Sequence, residues 1–251
     1  LKVLAPVSLG VWDGGGADAN WSTGANWDND VAPTFPIGLT FTGAAGLLNT
    51  NDLTGKTVNG ITFDAAAGAF VISGNAITNA GNIGFSGNPS APVTQTINLA
   101  MDIGGANRII TTQTNGNIVF GGVISGTNTI FKNGPGTLTL AAVNTFTNPT
   151  VANVQVRGGT LKVGVNEAIP MAVNLNPVAG ITSTLDLNGK IQTTSLTVAG
   201  AGGATASVSV IDSAGGGVLK LNDNVVVNAG AATSTMVSAL LDLNGGIRTF
   251  T

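Results

Sequence analysis

The chain has 251 residues, of which 43% are hydrophobic and only 8% are charged, and its formal net charge is −3. A disordered chain needs low hydrophobicity or a high net charge, and a nucleic-acid partner needs basic clusters, so both classes are excluded. Cys and His are absent, which excludes disulfides, thiolate metal sites and the usual Ser-His or Cys-His catalytic groups.

The opening 40 residues differ in composition from the rest. They contain all three tryptophans of the chain, Trp12, Trp21 and Trp27. We predict a head or capping segment over residues 1–40, continuous as one domain with a repetitive body over residues 41–251. The tryptophans are expected to cap or staple the body, and the alternative is a packing or stacking surface for glycans.

Acidic residues in the head suggest a second kind of site. Asp13, followed by three glycines, and Asp18 offer oxygen ligands of the kind that Ca²⁺ accepts. Their spacing matches neither an EF-hand nor a glycine-rich calcium coil, and ordinary Asx turns explain them equally well. Asp13 and Asp18 are therefore calcium candidates, and no other metal, cofactor or catalytic residue is predicted.

The body is a series of short alternating segments of three to four residues, each closed by Gly or Asn. These strand-like segments lie at 61–63, 69–72, 96–99, 117–120, 129–131, 137–140, 154–156, 160–163 and 207–210. Strands this short suit a chain that coils about its own axis, each strand stacking on the strand one turn earlier. Similar segments recur after roughly 18–25 residues, a solenoid-like period that predicts roughly ten coils and an all-β fold.

Internal repetition supports this architecture. The sequence LDLNGKIQT at 185–193 recurs as LDLNGGIRT at 241–249, and GGTLKV at 158–163 is echoed by GGVLKL at 216–221. We expect Asp186 and Asp242 to accept backbone amides or stay solvated, and Asn188 and Asn244 to turn the chain in left-handed geometry.

The ends of the chain lack the features that normally close a solenoid. The chain begins Leu-Lys-Val, which matches the end of the GGTLKV phrase, and it stops inside a strand-like pattern. Both ends are predicted to be cut from a longer protein, and neither supplies a charged or helical cap. Uncapped ends favour stacking on a neighbour, so the predicted partner is a further copy of the chain. The sequence contains no run of about 18 apolar residues, so no membrane-spanning helix is predicted.

The stretch from 134 to 163, GPGTLTLAAVNTFTNPTVANVQVRGGTLKV, resembles the autotransporter-associated β-strand repeat of bacteria. The matching positions are Gly134, Gly136, Thr137, Leu138, Thr139, Leu140, Asn144, Phe146, Thr147, Gly159, Thr160, Leu161 and Val163. One departure is at 147–150, where Thr-Asn-Pro-Thr replaces the usual Thr-Gly-Gly-Thr and predicts a stiffer corner. The resemblance implies a right-handed parallel β-helix, exported to the cell surface or beyond, with no catalytic residues.

These observations predict a non-enzymatic structural protein of the bacterial surface or extracellular matrix. It would associate end to end into fibres or form part of a long repetitive β-helix. The alternative function is an adhesin or passenger segment that binds glycans or surfaces, through the Trp-rich head. A more remote alternative is a polysaccharide-degrading enzyme, which needs clustered Asp with Lys or Arg; in this chain the basic residues are spread singly.

Overall fold

A computed structural model describes residues 6–148, 153–178, 180–198, 207–227, 234–236 and 239–250. Two short 3₁₀ turns lie in the head, at Gly24–Asn26 and Asp28–Asp30. The other regular elements of the described part are strands, numbered here in chain order: β1 Val11–Trp12, β2 Ile37–Phe41, β3 Leu48–Asn51, β4 Lys56–Phe63, β5 Val71–Gly74, β6 Ile77–Asn79, β7 Ile83–Phe85, β8 Val93–Ile97, β9 Met101–Asp102, β10 Arg108–Thr111, β11 Gly116–Phe120, β12 Ile124–Ser125, β13 Ile130–Asn133, β14 Thr137–Leu140, β15 Asn153–Val156, β16 Gly159–Val163, β17 Ala172–Leu175, β18 Thr182–Asp186, β19 Ile191–Thr194, β20 Leu196–Val198, β21 Ser207–Ile211, β22 Val218–Leu221, β23 Val226–Val227, β24 Ser234–Met236 and β25 Leu240–Asp242.

The strands stack as a parallel β-solenoid of about eight turns, against the roughly ten coils predicted from the spacing. The first sheet is the largest, and its central run is β4-β7-β10-β13-β15-β17-β20-β23. The second sheet runs β24-β21-β18-β16-β14-β11-β8-β5-β3, and the third runs β19-β22-β25. Every pair of named strands is parallel, and partners in the second sheet come from consecutive turns, as in Leu140 and Val163. This confirms the all-β solenoid.

Alternation along each short strand places one set of side chains inside the solenoid and the other set on its outer face. In β14 the residues Leu138 and Leu140 point inward and are fully buried, while Thr137 and Thr139, which alternate with them, are half-buried on the outer face. The register places Leu138 beside Leu161, and Leu161 beside Leu185, so like residues stack along the axis of the solenoid. Each turn therefore buries its apolar face only against its neighbours, as repeat proteins do.

Buried side-chain amides stand in for backbone pairing at several corners. Gln95 accepts the Phe70 amide at 2.9 Å and donates to the Gly68 carbonyl at 2.8 Å. Gln192 does the same for both backbone groups of Ile169, at 3.0 and 2.9 Å. At Ile169 these bonds satisfy buried backbone groups that would otherwise lack a partner, whereas the Phe70 amide also donates to the Gly68 carbonyl at 2.9 Å.

The repeated LDLNG segments form the same corner twice. Asn188 and Asn244 both adopt left-handed backbone angles, with φ of 51° and 53°. The amide of each donates to the aspartate two residues earlier, Asn188 to Asp186 at 2.9 Å and Asn244 to Asp242 at 2.8 Å. The predicted roles of these four residues are confirmed. The predicted corner at 147–150 lies partly outside the described residues, and the Leu-Lys-Val start lies wholly outside them.

Candidate functional site

The three head tryptophans form one buried aromatic cluster. Trp12, Trp21 and Trp27 each have 0% exposure. The Trp27 ring meets Trp12 edge-on at 5.1 Å between centroids and Trp21 in the same manner at 6.1 Å. Each indole N–H is hydrogen-bonded: that of Trp12 donates to the Gly46 carbonyl at 3.0 Å, that of Trp21 to Asn49 Oδ1 at 2.9 Å, and that of Trp27 to the Trp21 carbonyl at 2.9 Å. The rings pack within the protein and present no face on which a sugar could stack.

The head covers the free edge of the first sheet. β1 pairs in parallel with β2, and the 26–28 segment lies antiparallel along the other side of β1, through the Trp12–Trp27 bridge. The Asp28 carboxylate accepts the amides of Leu9 and Val11 and the hydroxyl of Ser8, at 2.9–3.1 Å. Burial acts to raise the pKa of Asp28, but these hydrogen bonds outweigh it and hold the pKa below its usual value.

The head also covers the free edge of the second sheet. Trp21 donates its amide to the Thr50 carbonyl at 3.0 Å, and Thr50 donates to the Ala19 carbonyl at 2.7 Å. Thr50 belongs to β3, the edge strand of that sheet. These contacts fit the expected capping by the Trp-rich head, which covers the edges with short extended segments rather than with a helical cap. Short segments of the head, with the Asp28 carboxylate among them, occupy the edges that a neighbouring copy would need.

The two calcium candidates are engaged in local turns. The Asp13 carboxylate accepts the Gly15 amide at 3.0 Å. Asp18 accepts the Asn20 amide at 3.0 Å, the Thr23 hydroxyl at 2.9 Å and the Asn26 side-chain amide at 3.2 Å. The Asn20 amide bond and the other hydrogen bonds lower the pKa of Asp18. Among the described residues no group of three or more acidic side chains is arranged to hold a metal ion.

The structure reveals that one of the singly spread basic residues of the chain is a buried lysine. Lys132 has 0% exposure and lies in the first sheet between Ile110 and Val156 of the neighbouring turns. Its Nζ donates to the carbonyls of Asn133 at 3.3 Å, Gly134 at 2.7 Å and Gly158 at 2.6 Å. Burial lowers the pKa of Lys132 to about 7. The signal was available in the strand alternation, which places Lys132 on the same face as the buried Ile130.

The two ion pairs of the described residues form the same rung in both copies of the internal repeat. Lys162 Nζ lies 3.6 Å from Asp186 Oδ2 across β16 and β18, and Lys220 Nζ lies 4.0 Å from Asp242 Oδ2 across β22 and β25. Both pairs bridge consecutive turns, but the Asp186 side chain is 6% exposed and the Asp242 side chain 44%. These pairs explain why the GGTLKV-type and LDLNG phrases occur together in the sequence.

The outer face of the second sheet carries a shallow hollow of about 360 Å³. Its lining includes the Lys162–Asp186 pair and several hydroxyl-bearing residues, Thr94, Thr137, Thr139 and Thr160. The one lysine and the one carboxylate here neutralise each other at 3.6 Å. The residues of this hollow do not form the cluster of aspartates with a base that polysaccharide hydrolysis or lyase chemistry requires.

Comparisons with known proteins support the surface-protein interpretation. No family model matches the chain, and no solved structure matches it. Over 163 residues, which are 64% of this chain, the sequence is 31% identical to the adhesin BmaC autotransporter of Brucella suis biovar 1 (strain 1330). The chain spans about 4% of the length of that relative. The similarity and the β-solenoid together fit a passenger-type β-helix, while membership of the autotransporter-associated repeat family stays a prediction. Within the part of the chain that the structure describes, no helix is long and apolar enough to span a bilayer.

Proposed function

We propose that this chain is a non-enzymatic segment of an exported bacterial surface protein, built as part of a long repetitive β-helix of the adhesin passenger type. The observation that supports this most strongly is the parallel β-solenoid, with its capped N-terminal edges. The similarity to an autotransporter adhesin supports the location at the cell surface. A stack of this kind projects from its anchor as a rod, and its outer face is available for adhesion.

Surface display tests this proposal. The chain is fused to an autotransporter translocator in a Gram-negative host, and surface exposure is measured with an N-terminal epitope tag and added protease. We expect the intact chain to reach the surface in a protease-resistant form and to raise adherence of the cells to epithelial monolayers. Cells displaying the translocator alone, and cells displaying a core-disrupted Leu138→Asp chain, are the controls. Export without any gain in adherence would reject the adhesin role, and failure to reach the surface would reject the proposal as a whole.

End-to-end association into fibres is the finer form of the proposal. The exposed apolar residues at the C-terminal end favour it, with Ile247 at 95% and Phe250 at 51% exposure. The covered edges at the N-terminal end oppose a simple head-to-tail stack. Sedimentation velocity of the purified chain over a wide concentration range tests it, and a single monomer peak throughout would reject fibre formation.

The head tryptophans do not support a glycan-binding role, because their rings are buried. Glycan binding remains a proposal for the adhesin alternative, and it would need another surface of the solenoid. A glycan array probed with the labelled chain tests it directly.

A further inference from the structure

The two copies of the internal repeat have the same local structure but different surroundings. In both copies a lysine on one turn faces an aspartate on the next, and the corner after the aspartate has matching left-handed angles. In the first copy Leu185 and Leu187 are fully buried, whereas in the second copy Leu241 and Leu243 are 38% and 41% exposed. The Asp186 side chain is 6% exposed and the Asp242 side chain 44%. The second copy therefore lacks a covering layer that the first copy has.

The covering layer of the first copy is the turn that follows it, β21 and its corner. Leu187 donates its amide to the Ile211 carbonyl at 2.8 Å. Ser213 donates its amide and its hydroxyl to the two Asp186 oxygens, at 3.0 and 2.7 Å. In return the Asp212 carboxylate accepts the Gly189 amide at 2.5 Å. An Asp-Ser pair placed directly after a strand thus completes the LDLNG corner from its open side.

The second copy presents the same groups without these partners. In the described part of the chain, the amides of Leu243 and Gly245 have no hydrogen-bond acceptor, although their equivalents Leu187 and Gly189 do. The Asp242 carboxylate accepts the Asn244 amide and pairs at 4.0 Å with Lys220, which leaves it open on the outer side. β25 is also the edge strand of the third sheet. An open strand edge, two amides without an acceptor and a carboxylate that is 44% exposed lie beside two exposed leucines.

We propose that β25 and the 243–245 corner form a docking site for one further parallel β-strand, followed directly by an Asp-Ser or Asp-Thr pair. The strand adds to the third sheet, and its apolar residues at alternate positions cover Leu241 and Leu243. Its Asp accepts the Gly245 amide, and its Ser or Thr donates to Asp242. This inference rests on the proposed role of the chain as a segment of a longer β-helix, and it specifies the chemistry of the surface that receives the next coil.

A peptide taken from the chain itself tests the site. The probe is fluorescein-labelled SVSVIDSAGGG, the sequence of residues 207–217, which contains the strand and corner that cover the first copy. Binding to the intact chain is measured by fluorescence anisotropy, and protection of the 240–245 amides is measured by hydrogen exchange. We expect saturable binding, with protection confined to that region. A scrambled peptide of the same composition is the control for nonspecific apolar binding.

Matched changes on each side identify the contacts. Asp242→Asn in the chain, or Ser→Ala at the Ser213 position of the peptide, is expected to weaken binding about tenfold, as for loss of a charge-assisted hydrogen bond. Asp30→Asn in the exposed part of the head is the control variant and leaves binding unchanged. Leu243→Lys abolishes binding because the covering strand would bury the charge.

Several outcomes would overturn the inference. These are no saturation up to about 1 mM peptide, equal binding of the scrambled peptide, or binding that is insensitive to both Asp242→Asn and Leu243→Lys. Self-association of the chain that persists when the peptide is added would show that a second copy covers this end in another way. That result would also contradict the proposed docking site. A chain that is displayed on cells and adheres but binds no peptide would refute this inference alone and leave the proposed function standing.

Discussion

Replacing Lys132 by methionine tests what a buried amine costs the solenoid. The variant keeps a long, flexible side chain between Ile110 and Val156 but removes the titrating group. In the native protein, burial lowers the pKa of Lys132 from 10.5 to about 7. At about 1.4 kcal/mol per pH unit this difference corresponds to roughly 5 kcal/mol. The figure is an upper value, because the three carbonyls that accept from Nζ favour the charged amine.

The sign of the pH dependence follows from the direction of the shift. Above pH 10.5 the amine is neutral in both the folded and the unfolded chain, and its burial carries no ionisation cost. As the pH falls towards 7 the unfolded chain binds a proton that the folded chain does not, so the native protein becomes less stable. Below pH 7 both states are protonated and the cost is constant.

Urea denaturation of the native chain and Lys132→Met between pH 6 and pH 10 measures this effect. We expect the free energy of unfolding of the native chain to rise with pH relative to the variant, by up to about 1.4 kcal/mol per pH unit above pH 7. The offset between the two curves also contains the hydrogen bonds that Met cannot make to Gly134 and Gly158. Two parallel curves would refute the buried-amine account, and so would a native chain that gains relative stability as the pH falls.

Three further changes test the packing and the cap. Gly134→Ala is expected to destabilise the chain by several kcal/mol, because a Cβ there would lie 1.9 Å from the Thr112 carbonyl oxygen. Gly43→Ala is the control: its Cβ meets nothing within 4 Å, so it measures only the backbone strain of a similar positive φ, about 1–2 kcal/mol. Equal losses of stability for the two variants in thermal denaturation would contradict the close approach at Gly134. Asp28→Ala removes the acceptor of four donors, on Ser8, Leu9, Val11 and Asn29, and is expected to cost about 1–3 kcal/mol. Hydrogen exchange should localise the loss to the head. Amide exchange in the native head should also become faster in acid, since the lowered pKa of Asp28 gives stability that is lost as the pH falls through that pKa. Equal exchange rates for the head of the native chain and the head of Asp28→Ala would count against the capping role of Asp28. Leu138→Ala is expected to lower the free energy of unfolding, measured by urea denaturation, by about 2–5 kcal/mol. A loss below about 1 kcal/mol would show that the stacked inward-facing leucines are loosely packed.

The sequence predicted the architecture well because the relevant signals are local. Strand alternation, glycine and asparagine at the corners, and the absence of helical periodicity are properties of neighbouring residues. They identified the solenoid, the left-handed Asn188 and Asn244, and the carboxylate turns at Asp186 and Asp242. The roughly ten coils predicted from the spacing are close to the about eight turns of the solenoid.

The candidate site was harder to predict because it depends on contacts between distant parts of the chain. Three tryptophans near one end are compatible with a sugar platform or with a buried cap, and only burial distinguishes the two. The cap itself depends on Asp28 reaching Leu9 and Val11, and on Trp21 pairing with Thr50. No local pattern in the head encodes these pairings.

By itself, the sequence determined that this protein is an all-β solenoid with repeated corners, since alternation and turn chemistry are written in consecutive residues. The tertiary structure decided which face each phrase occupies. The Lys-over-Asp rung lies in the second sheet at Lys162 and Asp186 but in the third sheet at Lys220 and Asp242. The spacing between the two copies along the chain places the later copy in a different sheet of the solenoid. The burial of its leucines then depends on a covering turn. An identical phrase is therefore core in one place and an open docking edge in the other.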